Sequence, residues 1–191
     1  MNGPFISLLL DPPWNEQGGG KIKRGADRHY DLLKTRDMPR VIHDSGHWNP
    51  EVEGASVWMW ATTNKLTDAL WLMQELGAKY VTHTVWVKAN QVFPLGQSKQ
   101  CFELCNPGLG QRFRHCHELF LYGRIGRVPV PPPDRRMPSV MLAPRGEHSS
   151  KPDLQYDWIV DHDPEGLRCE FFARGNPRPG WTAWGDGVEN Q

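Results

Sequence analysis

Neither sign of charge dominates this 191-residue chain, in which 22 Lys and Arg balance 22 Asp and Glu. A global attraction to nucleic acid or to an anionic membrane is therefore excluded, and any polyanion contact has to come from local basic patches. No run of 18 apolar residues exists, which rules out a transmembrane helix, and no signal peptide opens the sequence, so no membrane association and a cytoplasmic location are expected. Four cysteines without such a signal point to reduced thiols rather than a disulfide scaffold. The chain also lacks an internal repeat, a P-loop and a nucleophile elbow, which removes support for phosphoryl and acyl transfer.

What the chain has is tryptophan, nine in all, and one stretch that organises the rest. Phe5 to Leu10 is apolar and reads as a buried strand that stops on Asp11-Pro12-Pro13-Trp14. In open α/β sheets, ligands gather beyond the carboxyl ends of strands. Two prolines stiffen the backbone there and remove N–H groups, leaving carbonyls as the polar groups on offer. A rigid strand end carrying the Asp11 carboxylate, the Pro12 carbonyl and the Trp14 ring suits a planar ligand with an NH₂ group, such as adenine. As a bare tetrapeptide it also fits an ordinary turn with a buried tryptophan.

Gly18 to Gly25 follows as a flexible loop with Lys21, Lys23 and Arg24, leading to Arg28, His29 and Tyr30. Its cations suit phosphates and its position suits a substrate lid, although a solvated surface loop has the same composition. The pattern then predicts a short helix over Asp37–Asp44, a strand over Ser56–Ala61, a helix over Lys65–Leu76 stopped by Gly77, and a strand over Tyr80–Val87. Strand, helix, strand is the unit of a parallel sheet. Trp14, Trp60 and Trp86 fall at or near strand ends, where they could shape a pocket.

From Lys88 to Gln111 the periodicity is lost among Pro94, Gly96, Pro107, Gly108 and Gly110, which reads as a long functional loop. Arg112 and Arg114 follow, and His115-Cys116-His117-Glu118 opens another strand through Tyr122. Cys101, Cys105, Cys116 and the two histidines invite a zinc site. Their separation is not a finger spacing, however, and on a strand His115 and His117 would take opposite faces, so no metal is expected. Beyond an extended Val128–Pro133 and the pair Arg135 and Arg136, a strand over Ser139–Leu142 leads to a helix from Asp153 to Val160. Ser149 or Ser150 could cap that helix, which puts Lys151 near its N-terminus. A lysine there gains nothing from the dipole, so a ligand carboxylate or solvent is its partner. Strands over Leu167–Phe172 and Trp181–Trp184 complete the pattern.

Taken in order, these residues resemble the MT-A70 family of adenine methyltransferases. The resemblance rests on Asp11–Trp14, Tyr30, Trp58–Asn64, Tyr80–Lys88, Gly108–Gly110 with Arg114, His117 and Glu118, then Pro144–Asp153, Glu170–Arg174 and Gly180–Gly185. It implies an α/β, Rossmann-like class I methyltransferase fold over residues 1–191, with a mostly parallel central sheet flanked by helices and the catalytic motif ahead of the main cofactor-binding segment. S-adenosylmethionine is the implied methyl donor and adenine in nucleic acid the acceptor, in DNA rather than RNA by likeness to bacterial and phage members. A homodimer, or a heterodimer with a related subunit, is compatible with the family, as is a non-catalytic nucleic-acid-binding partner.

Carried over, Asp11, Pro12, Pro13 and Trp14 form the catalytic set, with Asp11 and Pro12 holding the adenine amine and Trp14 packing on the base. Tyr30 belongs to the active-site loop (15–30) and Glu118 to the substrate side; the cations Lys21, Lys23, Arg24, Arg112, Arg114, Arg135 and Arg136 are the expected contacts to the nucleic-acid backbone. Lys151 meets the methionine part of the cofactor and Phe172, Arg174 and Asn176 its adenosine part, with Asp11 and Asp186 as further cofactor contacts. The chain departs from the family at Asp186, where Asn is common, and at Gly146, where many bacterial members have Arg. It is also short ahead of Asp11, and the 88–116 segment, longer than usual, is a candidate target-recognition loop.

Overall fold

A computed structural model describes residues 3–15, 33–94, 100–104, 112–146, 150–163, 165–175, 177–186 and 188. In chain order the elements are β1 (Phe5–Leu10), α1 (Met38–Asp44), β2 (Gly54–Ala61), α2 (Leu66–Glu75), β3 (Lys79–Pro94) and β4 (Gln100–Leu104). They continue with β5 (His117–Gly126), β6 (Val140–Pro144), α3 (Leu154–His162), β7 (Leu167–Phe171) and β8 (Trp181–Trp184). One eight-stranded sheet runs β4-β3-β5-β2-β1-β7-β8, with β6 paired to β3.

The strands β2, β1, β7 and β8 are parallel neighbours. β5 lies antiparallel between β2 and β3, so β3 regains the direction of β1 and β6 follows it. Six of the eight strands thus share one direction, while β5 and β4 run against them, which makes the sheet mixed. β2 and β3 are not neighbours, because β5 takes the slot between them.

Side-chain alternation divides the core into two layers. On one face Leu8, Leu10, Val57, Met59 and Leu121 pack with Met38 and Ile42 of α1 and Ala69, Leu72 and Met73 of α2. On the other, Leu9, Trp58, Trp60, Trp86 and Phe120 pack with Trp158 and Ile159 of α3. The buried residues of α2 (Ala69, Leu72, Met73) and of α3 (Gln155, Trp158, Ile159) follow the i, i+3, i+4 spacing that puts residues on one stripe, and Met38 and Ile42 of α1 the i, i+4 spacing. α2 stops where Gly77 adopts φ +77°; the Ala78 N–H donates to the Met73 carbonyl (2.9 Å) and the Gly77 N–H to that of Gln74 (3.0 Å), closing the orphan carbonyls of the last turn.

Two expectations need correction. The periodicity-free segment after Lys88 is not all loop: β3 continues to Pro94 and pairs antiparallel with β4, Ala89 opposite Leu104 through Pro94 opposite Gln100. Pro94 is the last residue of β3 rather than part of a loop. α3 is not capped by Ser150 either; its N-cap is Asp153, whose side chain makes no capping bond. Ser149 lies outside the described residues.

Candidate active site

All six co-directional strands end at the same edge of the sheet, and β5 begins there. Asp11 follows β1 immediately, and its N–H points to the Phe171 carbonyl at the end of β7 (3.4 Å). The two prolines turn the chain so tightly that the Trp14 N–H donates back to the Pro12 carbonyl (2.8 Å). That carbonyl keeps its second lone pair for another donor. Trp14 itself is 6% exposed and its indole Nε1–H donates to the Trp60 carbonyl at the end of β2 (3.0 Å). A buried indole N–H requires an acceptor, and finding one in β2 makes Trp14 an anchor for the Pro12–Pro13 turn.

Beside this turn lies a cavity of about 330 Å³, within the range of roughly 300–1,000 Å³ usual for small-molecule sites. Asp11, Pro13 and Leu33 form one wall; Phe172, Arg174, Trp184 and Asp186 form the other. Phe172 adopts φ +62°, a left-handed conformation unusual for a bulky side chain and concentrated at functional sites. The rim is held by the Ala173 N–H donating to the Trp184 carbonyl (3.0 Å). Gly185 makes that approach possible, since a Cβ there would lie 2.2 Å from the Ala173 carbonyl oxygen.

The lining fits S-adenosylmethionine on chemical grounds. Asp11 and Asp186 offer carboxylates to its cationic groups, Phe172 and Trp184 aromatic surface to its adenine, and Arg174 a fork of donors to hydroxyl or carboxylate oxygens. Four of the expected cofactor contacts, Asp11, Phe172, Arg174 and Asp186, thus share one cavity. Asn176 lies outside the described residues.

On the other side of Asp11 stands a charged cluster. Lys151, from the β6–α3 connection, places Nζ 2.8 Å from Asp11 Oδ1 and 3.0 Å from Oδ2, and 3.5 Å from Glu118 Oε2. Glu118 Oε1 accepts a second ion-paired hydrogen bond from Lys88 on β3. Burial opposes the charge on Lys151, yet Asp11 and then Glu118 overcome it and hold the ammonium above its ordinary value. Burial likewise opposes ionisation of Glu118, and Lys151 and Lys88 pull its carboxyl below the usual range. Under the cluster, Lys151 sits 5.7 Å over the Trp60 ring, which is 1% exposed, stacked on Phe120 and tied through Nε1 to Gln155 of α3 (2.6 Å). Trp60 and Trp86 therefore build the floor from within the core rather than lining the pocket.

Residues 5–187 match the MT-A70 family. The chain belongs to the MT-A70 family. Its α/β sheet is accordingly a class I methyltransferase fold, and MT-A70 methyltransferases use S-adenosylmethionine. Over 93% of its length the chain is 26% identical to the type II methyltransferase M.MunI of a Mycoplasma species, of which 75% is covered. Over 96% it is 25% identical to a probable N(6)-adenosine-methyltransferase MT-A70-like of rice, covering 23% of that protein. It is 28% identical to the human N(6)-adenine-specific methyltransferase METTL4, over 96% of the chain and 37% of the relative. The chain thus spans three quarters of M.MunI but well under half of these eukaryotic relatives.

Against the MT-A70 expectations, the structure brings Asp11, Pro12, Pro13, Glu118 and Lys151 together. Lys151 faces Asp11 and Glu118 rather than the cavity wall, so its first partners are carboxylates of the chain itself. Arg112 and Arg114 are exposed in the segment entering β5, at the same sheet edge as Asp11. Arg135 and Arg136 lie in the connection that leaves β5 from the opposite edge, and Arg136 donates to the Pro131 carbonyl. Lys21, Lys23, Arg24, Tyr30, Cys105 and Gly108–Gly110 lie outside the described residues. His115 and His117 do not take the opposite faces expected, because residues two apart in an extended chain point the same way; their rings meet edge to face at 5.7 Å. Among the described residues no group of three or more His, Cys, Asp or Glu is arranged to hold a metal, and no helix is long and apolar enough to cross a membrane. Lys88 was missed as a site residue, although it falls within a stretch that carries the resemblance.

Proposed function

We propose that this chain transfers the methyl group of S-adenosylmethionine to the exocyclic amine of adenine in DNA. The observation that carries the reading is the seating of Asp11: its carboxylate lines the cavity and is gripped from the other side by a buried ammonium. When bound, the cofactor supplies an electrophilic methyl group on a sulfonium. The adenine amine is a poor nucleophile because its lone pair is delocalised into the ring. Accepting its two N–H bonds at the Asp11 carboxylate and the Pro12 carbonyl orients the amine and localises that pair. Positioning at about 3 Å makes the encounter effectively unimolecular. The Asp11 carboxylate also stabilises positive charge developing on the amine nitrogen, and water or Asp11 accepts its proton.

In a duplex the target amine lies in the stack, so the base has to leave it at a cost of a few kcal/mol. Arg112 and Arg114 are suited to the phosphates around the extruded nucleotide. The coverage of M.MunI, three quarters of its length against about a quarter for the rice protein, supports DNA. The adenosine in the rice protein's name favours RNA as the second reading. Transfer from labelled S-adenosylmethionine to matched duplex DNA, single-stranded DNA and RNA, followed by nucleoside mass spectrometry, separates the two. The expected product is N6-methyldeoxyadenosine; label in RNA alone overturns the DNA reading. Absence of calorimetric cofactor binding overturns the enzyme reading in favour of a nucleic-acid-binding subunit.

A further inference from the structure

Lys88 lies outside the cavity wall and makes no contact with Asp11, yet it ends a chain of alternating charge that reaches it: Lys88, Glu118, Lys151, Asp11. We infer that Lys88 is a positioning residue which, by engaging Glu118, leaves Lys151 to Asp11 and so sets the turnover of the methyl transfer proposed above, on which this inference rests.

The argument begins with competition. Lys151 faces two carboxylates but favours one, with Nζ 2.8 Å from Asp11 and 3.5 Å from Glu118. A lone ammonium between two carboxylates in a low-dielectric setting would be drawn to both. Lys88 breaks the symmetry by supplying Glu118 with its own counter-ion. The backbone fixes it there: the Lys88 N–H donates to the Cys116 carbonyl (2.8 Å), clamping β3 to the segment entering β5, and its ammonium rests 5.1 Å over Trp86. Among the described residues no third cation joins Lys88 and Lys151 in an ion pair with Glu118. His117 is held below its ordinary 6.5 by burial, His115 and Lys88, and Arg174 acts on Lys151 from the cofactor side. Four groups, two of each sign, balance only with Lys88 present.

Lys88→Met is therefore expected to move Lys151 toward Glu118 and loosen Asp11. Steady-state methyl transfer should show kcat lowered by about 10-fold or more, with KM for cofactor and nucleic acid within about 2-fold, since the mutated group binds neither. Lys88→Arg should restore kcat to within about 3-fold. In a Glu118→Gln background, where the competitor is gone, Lys88→Met should have no further effect; this neutral pair also guards against a folding defect from the unpaired carboxylate. A crystal structure of Lys88→Met should show Lys151 Nζ nearer Glu118 than Asp11, a readout independent of activity. A raised KM for nucleic acid with unchanged kcat and a shallower salt dependence would make Lys88 a phosphate contact and overturn the inference. An equal loss in both backgrounds would overturn it too, as would an unmoved Lys151. If the wild type transfers no methyl, the proposed function fails, and the position of Lys151 in the variant still decides the geometric claim.

Discussion

Replacing Lys151 by Met removes the cation that two partly buried carboxylates share. Its side chain is 12% exposed, against 20% for Asp11 and 14% for Glu118, so the bonds lost are poorly screened by water. Breaking such a pair by deleting one partner costs about 3–5 kcal/mol, because the other charge is left desolvated; the residual exposure of Asp11 puts the expectation at about 3 kcal/mol. The pH dependence follows from the directions of the shifts. Glu118 titrates below its ordinary 4.5 in the folded chain, so its contribution is present above that value and is lost as pH falls through the folded one. Lys151 titrates above its ordinary 10.5, so its contribution is present below that value and is lost as pH rises through the folded one. The network is therefore intact across neutral pH. Urea unfolding followed by tryptophan fluorescence should show Lys151→Met about 3 kcal/mol less stable than wild type at pH 7.5 with an unchanged m-value. The gap should narrow at pH 3. A loss below about 1 kcal/mol at pH 7.5, or one undiminished at pH 3, would refute the network as a stabilising unit.

Gly185→Ala should weaken S-adenosylmethionine binding by calorimetry at least 10-fold, because its Cβ meets the Ala173 backbone at 2.2–2.4 Å and has to push the Phe172–Arg174 rim into the cavity. Trp60→Phe keeps the stacking surface but deletes the donor to Gln155, which is 4% exposed; the orphaned amide oxygen should cost about 1–3 kcal/mol, read as a lowered melting temperature in calorimetry.

The elements that the sequence announced are those whose periodicity is local. β1 and β8 take the expected bounds because an apolar run met Asp-Pro in one case and a Gly-Asp-Gly turn in the other. α2 was legible from its buried stripe and from Gly77. The sheet order was not, because nothing in the β5 residues encodes the choice of β2 and β3 as partners; that choice is made by packing. β4 was hidden by the prolines and glycines around it. Asp11 could be singled out from its neighbours alone, whereas its grip by Lys151 spans 140 residues and that of Glu118 by Lys88 spans 30. The left-handed Phe172 has no sequence signature either, as it is imposed by the backbone that surrounds it.

The central claim is that Asp11 orients the acceptor amine while the adjoining cavity holds the methyl donor. Asp11→Ala, assayed in parallel for S-adenosylmethionine binding by calorimetry and for transfer of labelled methyl to adenine-containing DNA, tests it most directly. The expected result is cofactor binding weakened by about 10-fold or less, with transfer reduced by about 10³-fold or more. Transfer at the wild-type rate would contradict the account.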